Sequence, residues 1–319
     1  MHLTPHPTWE ITDSTKLKRY QECARAYFFE YCLGWRSDRP ANDLAFGGAW
    51  AKAMEVLRNY GFSNDAIILA YEAFLTHYRS EGFAEEEDEL FAPKTPARAL
   101  GALAEYVEKW ADDLRQLEVL HAEVAGSVSV GKNRVIHFKM DSILRSEKLG
   151  YLSHEDKTTK QINRQWQDQW PLSVQVGTYS HVLYCLYPED EVFGVIINGT
   201  AFKAVKGTRG AALFDFARIS CRQDINQMEA WLAETNLWLD DLERDFEMLS
   251  VCEPDDQLML AFKRNTQSCT KYRGCPYHAF CCARTNPLTL VEQGVPVGFK
   301  VEFWDPSELK VNERIEIQA

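Results

Sequence analysis

The chain has 319 residues, of which 45% are hydrophobic, 26% charged and 12% aromatic, a balance that excludes a disordered chain, a collagen-like repeat or a coiled-coil rod. No apolar run approaches the roughly 20 residues that span a bilayer, and residues 1–19 lack the apolar core of a secretory signal, so a cytoplasmic protein with no membrane partner is expected. The net charge of −12 argues against a protein that coats nucleic acid without specificity, yet residues 257–291 contain no Asp or Glu and carry Lys263, Arg264, Lys271, Arg273 and Arg284.

Ser14 and Thr15 read as N-caps ahead of a first helix containing Leu17, Tyr20, Tyr27, Phe28 and Tyr31. Helical periodicity continues over 44–60, 64–79 and 96–117, and strands are expected at 119–130, 134–144 and 151–158. A helix over 168–187, a strand over 192–205 and a helix over 225–249 follow, then a cysteine-rich irregular stretch at 267–286 and further β structure within 295–317. The pattern predicts an α/β fold: a helical N-terminal part (1–118), a core with a small mixed sheet flanked by helices (119–250) and a C-terminal cysteine-rich region (251–319), integrated into one domain.

Asp141 lies in one expected strand, and Glu155-Asp156-Lys157 in the next. Strand alternation puts Glu155 and Lys157 on one face and Asp156 on the other. With Asp141 on the Glu155 face, two hard carboxylates and an ammonium would converge, a set suited to Mg²⁺ or Mn²⁺ and to phosphodiester hydrolysis. The plainer reading is an exposed cross-strand charge pattern. Gln175 and Tyr179, spaced i, i+4, share a face of the following helix, from which they could contact a nucleic-acid phosphate or base.

Nine cysteines in a cytosolic chain point to metal or cluster ligation before disulfides. Cys269, Cys275 and Cys281 form C-x5-C-x5-C, and Cys23 is the candidate fourth ligand; four cysteines are what an iron–sulfur cluster requires. Cys282 competes with Cys281, and ordinary buried free thiols are the alternative.

Together these residues resemble the PD-(D/E)xK nuclease superfamily, in particular its RecB-like iron–sulfur exonuclease branch. That branch includes AddB nuclease domains, CRISPR-associated exonucleases and bacteriophage exonucleases. The resemblance spans residues 14–33 with Cys23, 46–57, Asp141, Glu155-x-Lys157, Gln175-x3-Tyr179 and the terminal cysteines. It implies a restriction-endonuclease-like core with Mg²⁺ or Mn²⁺ held by Asp141 and Glu155, assisted by the Asp156 carbonyl. It also implies catalytic help from Lys157, DNA handling by Gln175 and Tyr179, and a 4Fe-4S cluster on Cys23, Cys269, Cys275 and Cys281. The expected activity is DNA exonuclease action on single-stranded DNA or free ends, in phage or prokaryotic recombination or repair, with a homo-oligomer left open. A histidine that contributes to the family's metal site is replaced here by Ala51, within Phe46-Gly-Gly-Ala-Trp-Ala-Lys-Ala-Met-Glu55. An inactive or weakened enzyme, a DNA-end-binding module, a CRISPR adaptation nuclease and a different register all remain open.

Overall fold

The computed structural model describes residues 3–39, 41–204, 213–271, 274–308, 311 and 313–317. Helix α1 (Ser14–Glu22) is capped one residue earlier than expected: the Asp13 carboxylate accepts the Lys16 amide at 2.7 Å, which leaves Ser14 and Thr15 inside the first turn. Cys23 interrupts the helix with extended backbone before α2 (Ala24–Tyr27), which runs on into a π-turn at Phe28–Cys32 and the short β1 (Trp35–Ser37). Then come α3 (Asn42–Tyr60), α4 (Asn64–Ser80) and α5 (Pro96–Lys109), the last begun by a Thr95 cap and Pro96.

The single helix expected over 96–117 is divided, with α6 (Asp113–Gln116) separate. Arg218 explains the break: its guanidinium lies 3.8 Å from the Trp110 ring centre and donates to Asp113 at 2.8 Å, so the chain turns to meet it.

One sheet has the order β6-β5-β4-β3-β2-β8, built from β2 (Glu118–Gly131), β3 (Arg134–Ser146), β4 (Gly150–Thr159), β5 (Val192–Phe202), β6 (Phe214–Cys221) and β8 (Glu313–Ile317). Strands β2 and β3 form a hairpin through Lys132 and Asn133, both at positive φ, as the right-handed twist of paired strands favours. Between β4 and its parallel neighbour β5 the chain crosses through α7 (Arg164–Asp168) and α8 (Val174–Leu186). The helix expected over 168–187 begins later, at Val174, behind Pro171 and the Ser173 cap, and the short α7 before it has no counterpart among the expected elements. The strand expected to reach 205 ends at Phe202, and 205–212 lie outside the described residues. Strand β6 has no counterpart among the expected elements.

Helix α9 (Ile225–Ser250) starts in a capping box of Asp224 and Gln227. The remaining elements are α10 (His278–Ala283), α11 (Leu288–Val291) and β7 (Phe299–Val301), the last paired with β1.

The two faces of the sheet are covered by different helices. Val176, Val182 and Leu183 of α8 pack on Phe138, Met140 and Ile197. On the other face Phe46 and Trp50 of α3 and Leu103 of α5 meet Phe202 and Phe216. A third core joins the chain's two ends, with Tyr27, Phe28 and Phe29 against Phe262 and Tyr277. This is the mixed α/β architecture expected, a sheet flanked by helices. No helix among the described residues is long and apolar enough to cross a membrane.

Candidate active site

Strands β3 and β4 are paired only at Leu144↔Leu152, Arg145↔Tyr151 and Ser146↔Gly150. Beyond Leu144 they part, and side chains bridge the opening. The Ser142 hydroxyl donates to the His154 carbonyl at 3.0 Å, and Asp141 Oδ2 accepts the Asp156 amide at 2.8 Å. Phe138, Met140 and Ile143 all pack in the α8 layer, so strict alternation breaks on β3 around Asp141, while Glu155, paired with Ile197, lies on the α8 side. At the opening of the fork Asp141 lies close enough to Glu155 for the charge of one to act on the other.

Glu155 is 3% exposed, and its two oxygens have different fates. Oε1 accepts Lys157 Nζ at 2.6 Å and Gln175 Nε2 at 2.8 Å, whereas Oε2 is buried without a partner. Gln175 Nε2 also lies 3.0 Å from the Tyr179 hydroxyl, which donates to the Lys139 carbonyl. The one-turn spacing on α8 thus orients the Glu155 carboxylate from above.

Asp141 is pushed up to about 8, first by burial and then by the charges of Glu155 and Asp156, against the opposing pull of Lys157 and Arg58. Burial works to discharge Lys157, but Glu155 and Asp141 overcome it and hold its pKa above the usual lysine value. The buried, raised carboxyl of Asp141 and the orphaned Oε2 of Glu155 are groups that a divalent cation would neutralise and satisfy, so the residues fit a hard metal ion. Among the described residues no three His, Cys, Asp or Glu side chains gather into a metal-holding group. A cation here would take two carboxylates and complete its shell with main-chain and water oxygens.

The Asp156 side chain faces away, as alternation requires. Its Oδ2 pairs with Arg58 and its Oδ1 accepts Asn198 Nδ2 at 2.7 Å, so any metal contact by this residue runs through its main chain. Ala51 lies on α3 in line with Gly47 and Arg58. A side chain at Gly47 would stand 3.8 Å from Thr158 on β4, and Arg58 reaches Asp156 on the same strand. The Ala51 face is therefore the one turned to β4.

Sequence reasoning overlooked Arg58 and the buried Glu123. The spacing of seven from Ala51, two helical turns, was the available signal for Arg58. Glu123 has positive φ and carries ion pairs to Lys52 at 2.9 Å and Lys139 at 3.1 Å, and only tertiary contact exposes it.

Cys23, Cys275 and Cys281 border the core that joins the two ends of the chain, but among the described residues no three of the cysteines gather into a metal-holding group. Burial raises the Cys281 thiol to about 11, helped by Cys23 and Cys275, while Cys275 is raised by burial and by Cys23 and Cys269. Cys23 Sγ accepts the Asn265 amide at 3.3 Å, and Cys269 O accepts the Cys275 amide at 2.9 Å. Cys282 points elsewhere, toward the His278 ring.

The family model of the PD-(D/E)XK nuclease superfamily matches residues 14–282, from α1 into α10, and so spans the fork, α3 and the cysteines. The chain belongs to this superfamily. PD-(D/E)XK nucleases commonly use Mg²⁺ or Mn²⁺ and act on DNA, in keeping with the carboxylate pair in the fork. A search of curated proteins returned no match. A solved structure titled "Crystal structure of SSO0001" is 13% identical and covers 72% of this chain and 76% of its own, at a TM-score of 0.28.

Proposed function

We propose that the protein is a metal-dependent DNA exonuclease, acting at single-stranded or free DNA ends in prokaryotic or phage recombination or repair in the cytoplasm, with Ala51 weakening its metal site. The observation that carries this reading is the fork. Burial and the charge of Glu155 raise the Asp141 carboxyl to about 8, and Glu155 Oε2 is buried without a partner while its Oε1 lies 2.6 Å from the Lys157 ammonium. Asp141 and Glu155 would hold the ion, with the Asp156 main chain beside them. A divalent ion so bound polarises a phosphate oxygen and makes water more acidic. Gln175 and Tyr179 fix the Glu155 carboxylate, and Lys157 orients the attacking water or balances charge developing on the phosphate. Cys23, Cys269, Cys275 and Cys281 would hold a 4Fe-4S cluster, since four thiols from distant segments form a soft donor set.

The test compares end-labelled linear with circular DNA in Mn²⁺, using anaerobically purified protein, its Ala51→His form and a Glu155→Gln control. Release of nucleotides from ends only, strengthened by Ala51→His and abolished by Glu155→Gln, is the expected result. Internal nicking of circles would replace the exonuclease by an endonuclease. Ala51 favours a second reading, a nuclease-derived module that holds DNA ends; tight, salt-sensitive binding with no cleavage even by Ala51→His would select it.

A further inference from the structure

Asp156, between the two catalytic candidates on β4, is tied on three sides. Its amide donates to Asp141 Oδ2 at 2.8 Å, its Oδ1 accepts Asn198, and its Oδ2 accepts Arg58. Asn198 in turn is 2.8 Å from the Tyr106 hydroxyl of α5. Arg58 does more than neutralise Asp156. A second arm of its guanidinium donates to the Asp141 main-chain carbonyl at 3.4 Å, so one side chain grips both prongs of the fork, β3 at Asp141 and β4 at Asp156. The Arg58 and Asp156 side chains are 9% and 0% exposed, so neither is available to solvent or substrate. A planar guanidinium with fixed donor directions suits such a two-point grip where a lysine would not.

We propose that Arg58 and Asp156 are positioning residues that set the gap between the Asp141 and Glu155 carboxylates, and so the affinity of the fork for its divalent ion. The inference rests on the reading that the fork binds metal. The pair reaches the ion site only through the Asp156 amide and the two backbones, and partners of this indirect kind change metal affinity by about 10–100-fold. A buried pair that merely fastened α3 to the sheet would affect stability alone.

The experiment measures Mn²⁺ binding to the full chain by calorimetry and by the electron paramagnetic signal of free Mn²⁺. The variants are Arg58→Lys, the double replacement Arg58→Met with Asp156→Leu, and Asp141→Asn. The double variant removes both charges, so no lone charge is left buried. The expected result is a melting midpoint near that of the parent with Mn²⁺ affinity lower by about 10–100-fold, Arg58→Lys falling between. Cleavage should be lost mainly at limiting Mn²⁺ and recover as Mn²⁺ is raised. Parent affinity in the double variant, while Asp141→Asn loses Mn²⁺, overturns the positioning role and leaves the metal site standing. Equal affinity in the parent and Asp141→Asn overturns the metal site itself, and the positioning role with it. If the double variant does not fold, Arg58→Lys decides: unchanged affinity overturns the proposal.

Discussion

Burial and the charge of Glu155 raise Asp141 to about 8, whereas an unfolded aspartate ionises near 3.8. Folding therefore takes up a proton between these values, and the metal-free protein loses stability as pH rises from about 4 toward 8, with no further loss above. Asp141→Asn should raise the melting midpoint of metal-free protein at pH 8 and leave it little changed at pH 4. Added Mn²⁺ should raise the parent's midpoint far more at pH 8 than at pH 6, and should not move the variant's. A parent midpoint indifferent to pH over this range would mean that Asp141 ionises normally. Ala51→His should increase cleavage by up to about 100-fold, appearing first in Mn²⁺, the ion better suited to an imidazole nitrogen. An unchanged rate would mean that position 51 does not look into the fork. Glu155, Lys157, Gln175 and Tyr179 were legible in the sequence because periods of 2 and 3.6 fix which side chains share a face. The meeting of Asp141 with Glu155 was not legible in this way, since it depends on where a ladder stops, and Arg58 was hidden because its partners lie 83 and 98 residues away.

At the scale of elements, α1 and α2 are held by residues more than two hundred positions later. Arg25 donates to the Phe262 carbonyl at 2.9 Å and the Met259 carbonyl at 3.0 Å, and Tyr20 to Asp245 at 2.6 Å. The proposed cluster would reinforce this join. Anaerobic protein should be brown and contain iron and sulfide, and Cys275→Ser should bleach it and lower the melting midpoint, because a group bound only by the folded state contributes its binding free energy to folding. Colourless protein with an unchanged midpoint in the variant would remove the cluster. The long helices α3, α4 and α9 could be read from periodicity and caps. The break after α5 could not, since it is set by Arg218 from a remote strand, whereas Pro171 and Ser173 were local signals for the start of α8 and the alternation of Phe214 and Phe216 with Asp215 was one for β6.

Over the whole molecule, a charge of −12 coexists with an exposed run of Lys263, Arg264 and Lys271 in a stretch free of acid. DNA binding should weaken steeply with added salt, its log–log slope reporting the phosphates contacted, while Glu155→Gln leaves that slope unchanged. Salt-independent binding would argue against backbone contacts. Strand β8 lies so close to β2 that a side chain at Gly126 would collide with the Ile315 carbonyl, and Gly126→Ala should cost about 1–3 kcal/mol of stability, read by denaturant titration. The core that joins both ends of the chain also governs the order of events during synthesis. Tyr27, Phe28 and Phe29 leave the ribosome early, yet Phe262 and Tyr277, which cover them, are made more than two hundred residues afterwards. At about 5–20 residues per second, that leaves an aromatic surface uncovered for ten seconds or more, a window in which a nascent chain invites chaperones or aggregates with its neighbours.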